Sequence, residues 1–154
     1  MSNIFNDDFR DFINQLNRFD VKYILIGGFS VILHGYSRTT GDMDIWVERT
    51  SDNYQKIKLA FDGFGMPVFD MNEENFLKHP NWDVFTYGVP PSAIDVMVKV
   101  KGLVFQEAYE NAVIFEDDDL KIRTIHIKDL LKTKIESGRL KDLDDIQNLT
   151  KNKD

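Results

Sequence analysis

Asp42 and Asp44 stand two residues apart in Asp42-Met43-Asp44-Ile45-Trp46-Val47, acids at the start of an apolar run that reads as a strand. Side chains alternate along a strand, so both carboxylates project from the same side. Placed together they repel unless a cation lies between them, and Mg²⁺ (or Mn²⁺) takes oxygen ligands of this kind. Upstream, Tyr23-Ile24-Leu25-Ile26 is a short bounded apolar run, the mark of a buried strand, and it ends on Gly27-Gly28. A helix-like stretch from Phe29 to His34 follows. Glycines at a strand-to-helix turn let backbone approach a ligand closely, and the N–H groups that open a helix favour an anion such as phosphate. The loop Ser37-Arg38-Thr39-Thr40 then supplies one cation. Phosphate-binding amides at one strand end beside a metal site at another strand start describe a place for a nucleoside triphosphate and its metal ion.

Asp95 is a third candidate, set inside the otherwise apolar Ala93-Ile94-Asp95-Val96-Met97-Val98. An acid there is costly unless paired or metal-bound. Its functional reading is completion of the metal site and activation of an acceptor hydroxyl; the bland alternative is a salt bridge to Arg38 or Lys99. Asp42 does not open a calcium loop, because Val47 occupies the sixth position and Asn53 the twelfth. His34, His79 and His126 lack zinc-ligand spacing, and His34 is expected to be a packing or surface residue rather than to face a nucleotide. The run Glu116 to Asp119 reads as a solvated turn.

Glycine pair, intervening helix, then Arg38-x-x-x-Asp42-x-Asp44 and an apolar strand: this order resembles the nucleotidyltransferase superfamily of the DNA polymerase β type, above all its small stand-alone members. Tyr87 through Asp95 resembles that family's third-carboxylate strand, and Lys134 through Asp145 resembles its K…R-x-K-D-x-x-D tail. The resemblance spans Tyr23 to Leu149. It implies Asp42, Asp44 and Asp95 as catalytic and metal-binding residues, and Gly27, Gly28, Ser30, Arg38, Lys134 and Asp142 as nucleotide-binding residues. Arg139, Lys141 and Asp145 are further candidates in the tail, although Lys141 and Asp145 at helical spacing also make an ordinary exposed ion pair. Many members carry Gly-Ser where this chain has Gly27-Gly28, which leaves the role of Ser30 less defined.

The elements needed to hold this site are legible in outline. Apolar residues at Phe9, Phe12, Ile13, Leu16 and Phe19 mark a packing helix over Ile4 to Phe19, with Asn6, Asp7 and Asp8 at its start. Strands are expected at about Lys22–Ile26 and Met43–Glu48, with a helix at about Gly28–Gly35 between them. A third helix is capped by Ser51 or Asp52 and ends near Gly63 to Gly65, and one helical turn covers Glu73 to Lys78. Strands at Trp82–Tyr87 and Ile94–Val100 follow, then a helix at Leu103–Ala112. A hairpin of Val113–Phe115 and Leu120–Ile125 turns across Glu116 to Asp119. Two helices, about Ile127–Glu136 and Arg139–Thr150, finish the chain and leave Lys151 to Asp154 loose. The pattern predicts an α/β (α+β) nucleotidyltransferase fold in one domain over residues 1–150, with a mixed sheet flanked by helices and a helical C-terminal tail.

The 154 residues, 42% hydrophobic and 29% charged, are ordinary for a soluble domain with a sizeable core. Without cysteine there is neither a disulfide nor a thiolate metal site. No membrane span or leader is legible, so a cytoplasmic location is expected. The net charge of −7 argues against non-specific nucleic-acid binding. The resemblance implies transfer of a nucleoside monophosphate from an NTP, with ATP as the leading donor, to a hydroxyl of a protein, tRNA or small molecule. It also allows a dimer or a place in a toxin–antitoxin pair. The rival class is a catalytically silent fold that acts as an antitoxin or partner-binding module, and a nucleotide sensor is a third reading.

Overall fold

The computed structural model of the chain describes residues 4–89, 92–137, 145–147 and 149. Six strands form one mixed sheet: β1 (Tyr23–Ile26), β2 (Met43–Val47), β3 (Val84–Tyr87), β4 (Ile94–Met97), β5 (Val113–Asp117) and β6 (Leu120–Thr124), in the order β3-β4-β2-β1-β6-β5. β1 is antiparallel to β2 and parallel to β6, while β2 is parallel to β4. The helices are α1 (Asp7–Arg18), α2 (Gly27–Leu33), α3 (Ser51–Phe64), α4 (Glu73–Lys78), α5 (Phe105–Asn111) and α6 (Ile127–Ser137). This is the expected mixed sheet flanked by helices. Residues 145–147 and 149 are helical; Asp142, the rest of the Arg139–Thr150 helix and the loose Lys151–Asp154 terminus lie outside the described residues. No described helix is long and apolar enough to cross a membrane.

Alternation along the central strands assigns the two cores. Leu25, Met43, Ile45 and Val47 face one side, where Phe9, Phe12, Ile13 and Leu16 of α1 and Tyr54, Ile57 and Phe61 of α3 cover them. Ile24, Ile26 and Trp46 face the other, against Ala108 of α5 and Leu130 of α6. Covered on both faces, β1 is buried at every position, as its unbroken apolar run predicts. Asn6 caps α1 by accepting from the Phe9 N–H at 2.8 Å.

Two local expectations are corrected. Thr50, not Ser51 or Asp52, caps α3, accepting from the Asn53 N–H. Asn53 fixes that choice, since its side chain bonds Lys22 N, Lys22 O and Glu48 O and so ties the helix start to both strands. The β5–β6 hairpin is longer and its turn tighter than expected. Asp117 pairs with Leu120, and only Asp118 and Asp119, at φ 48° and 72°, make the turn.

Nor is the acidic run wholly solvated. Asp117 is buried against Arg10, whose guanidinium donates to Asp117 Oδ2 at 2.9 Å and to the Asp117 and Asp118 carbonyls at 3.0 Å. Arg10→Ala should therefore cost about 3 kcal/mol, as expected when one partner of a buried pair is removed. Urea unfolding would register this as a lowered midpoint at unchanged slope, with no change in nucleotide binding.

Candidate active site

β1 runs directly into α2 without a loop, which is tighter than the expected glycine turn followed by a helix at Gly28. Ile26 is still extended, and Gly27 takes up the change of direction at φ 72°. A side chain at Gly27 would be strained there, and its Cβ would fall on Asp44 Oδ2. A Cβ on Gly28 would lie 2.5 Å from Thr40 Oγ1 and 3.3 Å from Arg38 Cζ. The first glycine thus makes room for the acid, and the second makes room for the basic loop. Gly27→Ala should cost about 2 kcal/mol from backbone strain alone and displace Asp44. Chemical denaturation measures the first effect and metal-dependent nucleotide binding the second.

Parallel pairing of β2 with β4 sets Asp44 directly beside Asp95. The two carboxyl groups are close enough to act on each other, and each disfavours ionisation of its neighbour. Burial is the largest cause that raises Asp44, followed by the bond to Asp95 and the charges of Asp95 and Asp42, while Lys134 opposes them; the net result is a pKa of about 7. Thr86 on β3, opposite Asp95 in the antiparallel register, donates its hydroxyl to Asp95 Oδ1 at 2.7 Å. Asp95 therefore has Asp44 and Thr86 as partners instead of the alternative salt bridge to Arg38 or Lys99. Asp42 precedes β2, and its Oδ1 accepts the Ala93 N–H at 3.1 Å.

This donor set fits a hard divalent cation. It offers only oxygen, and a cation between the two adjacent carboxylates would relieve their repulsion. Among the described residues no three such groups already stand in closed ligand geometry.

The cations are held from the tail. Arg38 Nη1 lies 2.9 Å and Lys134 Nζ 3.2 Å from Asp145 Oδ2. Asp145 is only 2% exposed and Lys134 5%, so Asp145 is not the solvated partner of Lys141 that helical spacing allowed. Lys141, Arg139 and Asp142 lie outside the described residues. Ser30 is fully buried and donates to the Gly27 carbonyl at 2.6 Å, bracing the turn from behind. His34 packs as expected, with Nε2 2.8 Å from the Ile125 carbonyl and its ring edge-on to Phe115.

One cavity of about 780 Å³ gathers Gly27, Gly28, Arg38, Asp42, Asp44, Asp95 and Lys134, the predicted residues apart from Ser30 and Asp142. It also takes in Thr39, Thr40, Val84, Met97 and Asp145. Thr86 and Thr40 escaped the sequence reading because a lone threonine has no signature. Strand alternation opposite Asp95 is the signal by which Thr86 is recoverable.

Solved structures of similar fold include the lincosamide antibiotic adenylyltransferase LnuA bound to lincomycin, with 19% identity, a TM-score of 0.56, and coverage of 97% of this chain and 98% of that one. A nucleotidyltransferase from Thermotoga maritima, TM1012, shares 13% identity at a TM-score of 0.57, covering 93% and 90% of the two chains. The antibiotic-resistance factor ANT(2'')-Ia shares 9% at 0.60, covering 94% and 81%. At such identities the likeness is one of fold. Comparison with curated protein sequences finds no match. The model of a family described as nucleotidyltransferases of unknown function, DUF6036, matches residues 7–152, nearly the whole chain, and the protein belongs to that nucleotidyltransferase family.

Proposed function

We propose that the chain transfers a nucleoside monophosphate, with ATP as the leading donor, from a metal-bound NTP to an acceptor hydroxyl and releases pyrophosphate. The observation that carries this is the cavity that joins two side-chain-free backbone positions, two cations and four carboxylates, three of them at the sheet. Gly27 and Gly28 let main-chain amides approach the phosphates, and Arg38 and Lys134 add charge-assisted contacts. Asp42, Asp44 and Asp95 would hold Mg²⁺ or Mn²⁺, which offsets phosphate charge and acidifies the acceptor hydroxyl. Asp95, aligned by Thr86, accepts the acceptor's proton as its oxygen bonds to the α-phosphorus. The bond from that phosphorus to the bridging oxygen of the departing pyrophosphate breaks.

The charge balance makes the cation a requirement. Among the described residues Arg38 and Lys134 face Asp42, Asp44, Asp95 and Asp145, a balance that does not by itself favour a triphosphate. ATP labelled at the α-phosphate, run beside ATP labelled at the γ-phosphate, tests the chemistry. The α-label should pass to a product while the γ-label leaves as pyrophosphate, only with a divalent ion present. Release of the γ-label as inorganic phosphate would instead mark a phosphatase or kinase.

A further inference from the structure

The sheet register places two rows of side chains across one face. The first runs Ile26, Asp44, Asp95, Thr86, and the second runs Ile24, Trp46, Met97, Val84. Ile24 and Trp46 are buried, with the Phe105 ring of α5 5.1 Å from that of Trp46. Toward β3 this cover runs out. Met97 is only partly buried, Val84 joins neither core cluster, and Thr86 is exposed. Met97 and Val84 nevertheless line the same cavity as the acids.

Strand order then fixes what lies on each side of the acids. Gly27 follows β1 on one side of Asp44, and the cations Arg38 and Lys134 share that cavity. Val84 and Thr86 lie on β3, beyond Asp95 and at the sheet edge. A transfer reaction brings its two reactants to the acids from different directions, and the glycines give the β1 side to the phosphates. We infer that the Met97–Val84–Thr86 step is the acceptor site, and that it takes a neutral or cationic alcohol with an apolar face. This assignment rests on the transferase reading above.

The chemistry of the step sets that class. Met97 and Val84 offer apolar surface and no donor for a phosphate, while Asp42, Asp44 and Asp95 next to them repel a polyanion and favour an amine. Entry over an edge strand needs no movement of a helix, and the Thr86 hydroxyl holds Asp95 at the end where the acceptor oxygen arrives.

The test uses α-labelled ATP and Mg²⁺ with lincomycin, kanamycin and deacylated tRNA as separate acceptors, for the wild type and for Val84→Trp. The larger side chain fills the step without changing any charge. The wild type should label lincomycin or kanamycin and not tRNA. Val84→Trp should raise KM for that acceptor by about 10-fold or more, in line with the loss of a pocket contact, and keep the Kd for Mg-ATP within about 2-fold. Retained Mg-ATP binding also reports that the variant is folded. Labelling of tRNA alone, or of no member of the set, overturns the inference, as does an unchanged acceptor KM in Val84→Trp. Loss of Mg-ATP binding in a Val84→Trp variant that still unfolds cooperatively gives the step to the nucleotide and equally overturns it. Failure of the wild type to bind Mg-ATP removes the transferase reading itself, and the acceptor site with it.

Discussion

Asp44→Asn is expected to abolish nucleotidyl transfer and, at the same time, to make the protein harder to unfold. Transfer should fall by about 10³-fold or more, since a carboxylate central to metal-assisted displacement contributes several kcal/mol at the transition state. The gain in stability follows from linkage. Asp44 titrates near 7 in the folded chain against 3.8 when unperturbed, so between those values the folded state binds the extra proton. The wild type therefore loses stability as pH rises from about 4 to 7, by up to about 4 kcal/mol, whereas asparagine has no proton to lose. At pH 8 the variant's Tm should exceed the wild type's by roughly 5–10 °C, and at pH 4 the two should nearly coincide. Melting curves at both values check this. Equal Tm differences at pH 4 and pH 8 would mean that the carboxyl pair stores no electrostatic strain.

Asp145→Ala should have the opposite effect on stability. Its carboxylate pairs with both Arg38 and Lys134, and without it a half-buried guanidinium and a buried ammonium lose that counter-charge. Breaking such a cluster costs about 3–5 kcal/mol. Because both cations line the cavity, a bound anion replaces part of what is lost. ATP with Mg²⁺ should therefore raise the variant's Tm by more than it raises that of the wild type. Asp145→Asn, which keeps one acceptor oxygen but no charge, should fall between the two. A variant as stable as the wild type would show that the cations need no counter-charge from the tail.

The parts of this architecture that were legible in the sequence are those fixed by neighbours in the chain. The apolar run of Tyr23–Ile26 predicts a strand buried on both faces, and the stripe from Phe9 to Leu16 predicts the face that α1 presents. The glycine pair and the spaced acids predict which residues meet in the cavity, because each motif lies at the end of a legible strand. Distant partners decided the rest. Asp145 reads locally as half of an exposed helical pair, but one of its partners, Arg38, lies 107 positions away. Thr50 and Ser51 are equal as caps until the side chain of Asn53 is seen to bond Lys22 and Glu48. Asp118 and Asp119 look like the second half of a four-residue acidic loop. Their left-handed backbone, which aspartate tolerates better than most residues, closes a two-residue turn instead.

Thr86 illustrates the same limit at the site. Its partner Asp95 is nine positions away, and only the β3–β4 register brings the hydroxyl to the carboxylate. A reading confined to motifs finds the acids and the glycines, and it passes over the groups that hold them in place.

Calorimetric titration of each NTP in the presence of Mg²⁺, for the wild type beside the Asp42→Asn, Asp44→Asn double variant, tests the account most directly. The wild type should bind and lose that binding when Mg²⁺ is chelated, and a double variant that still unfolds cooperatively should not bind. A folded wild type that binds no NTP, or a double variant that binds as well as the wild type, would contradict it.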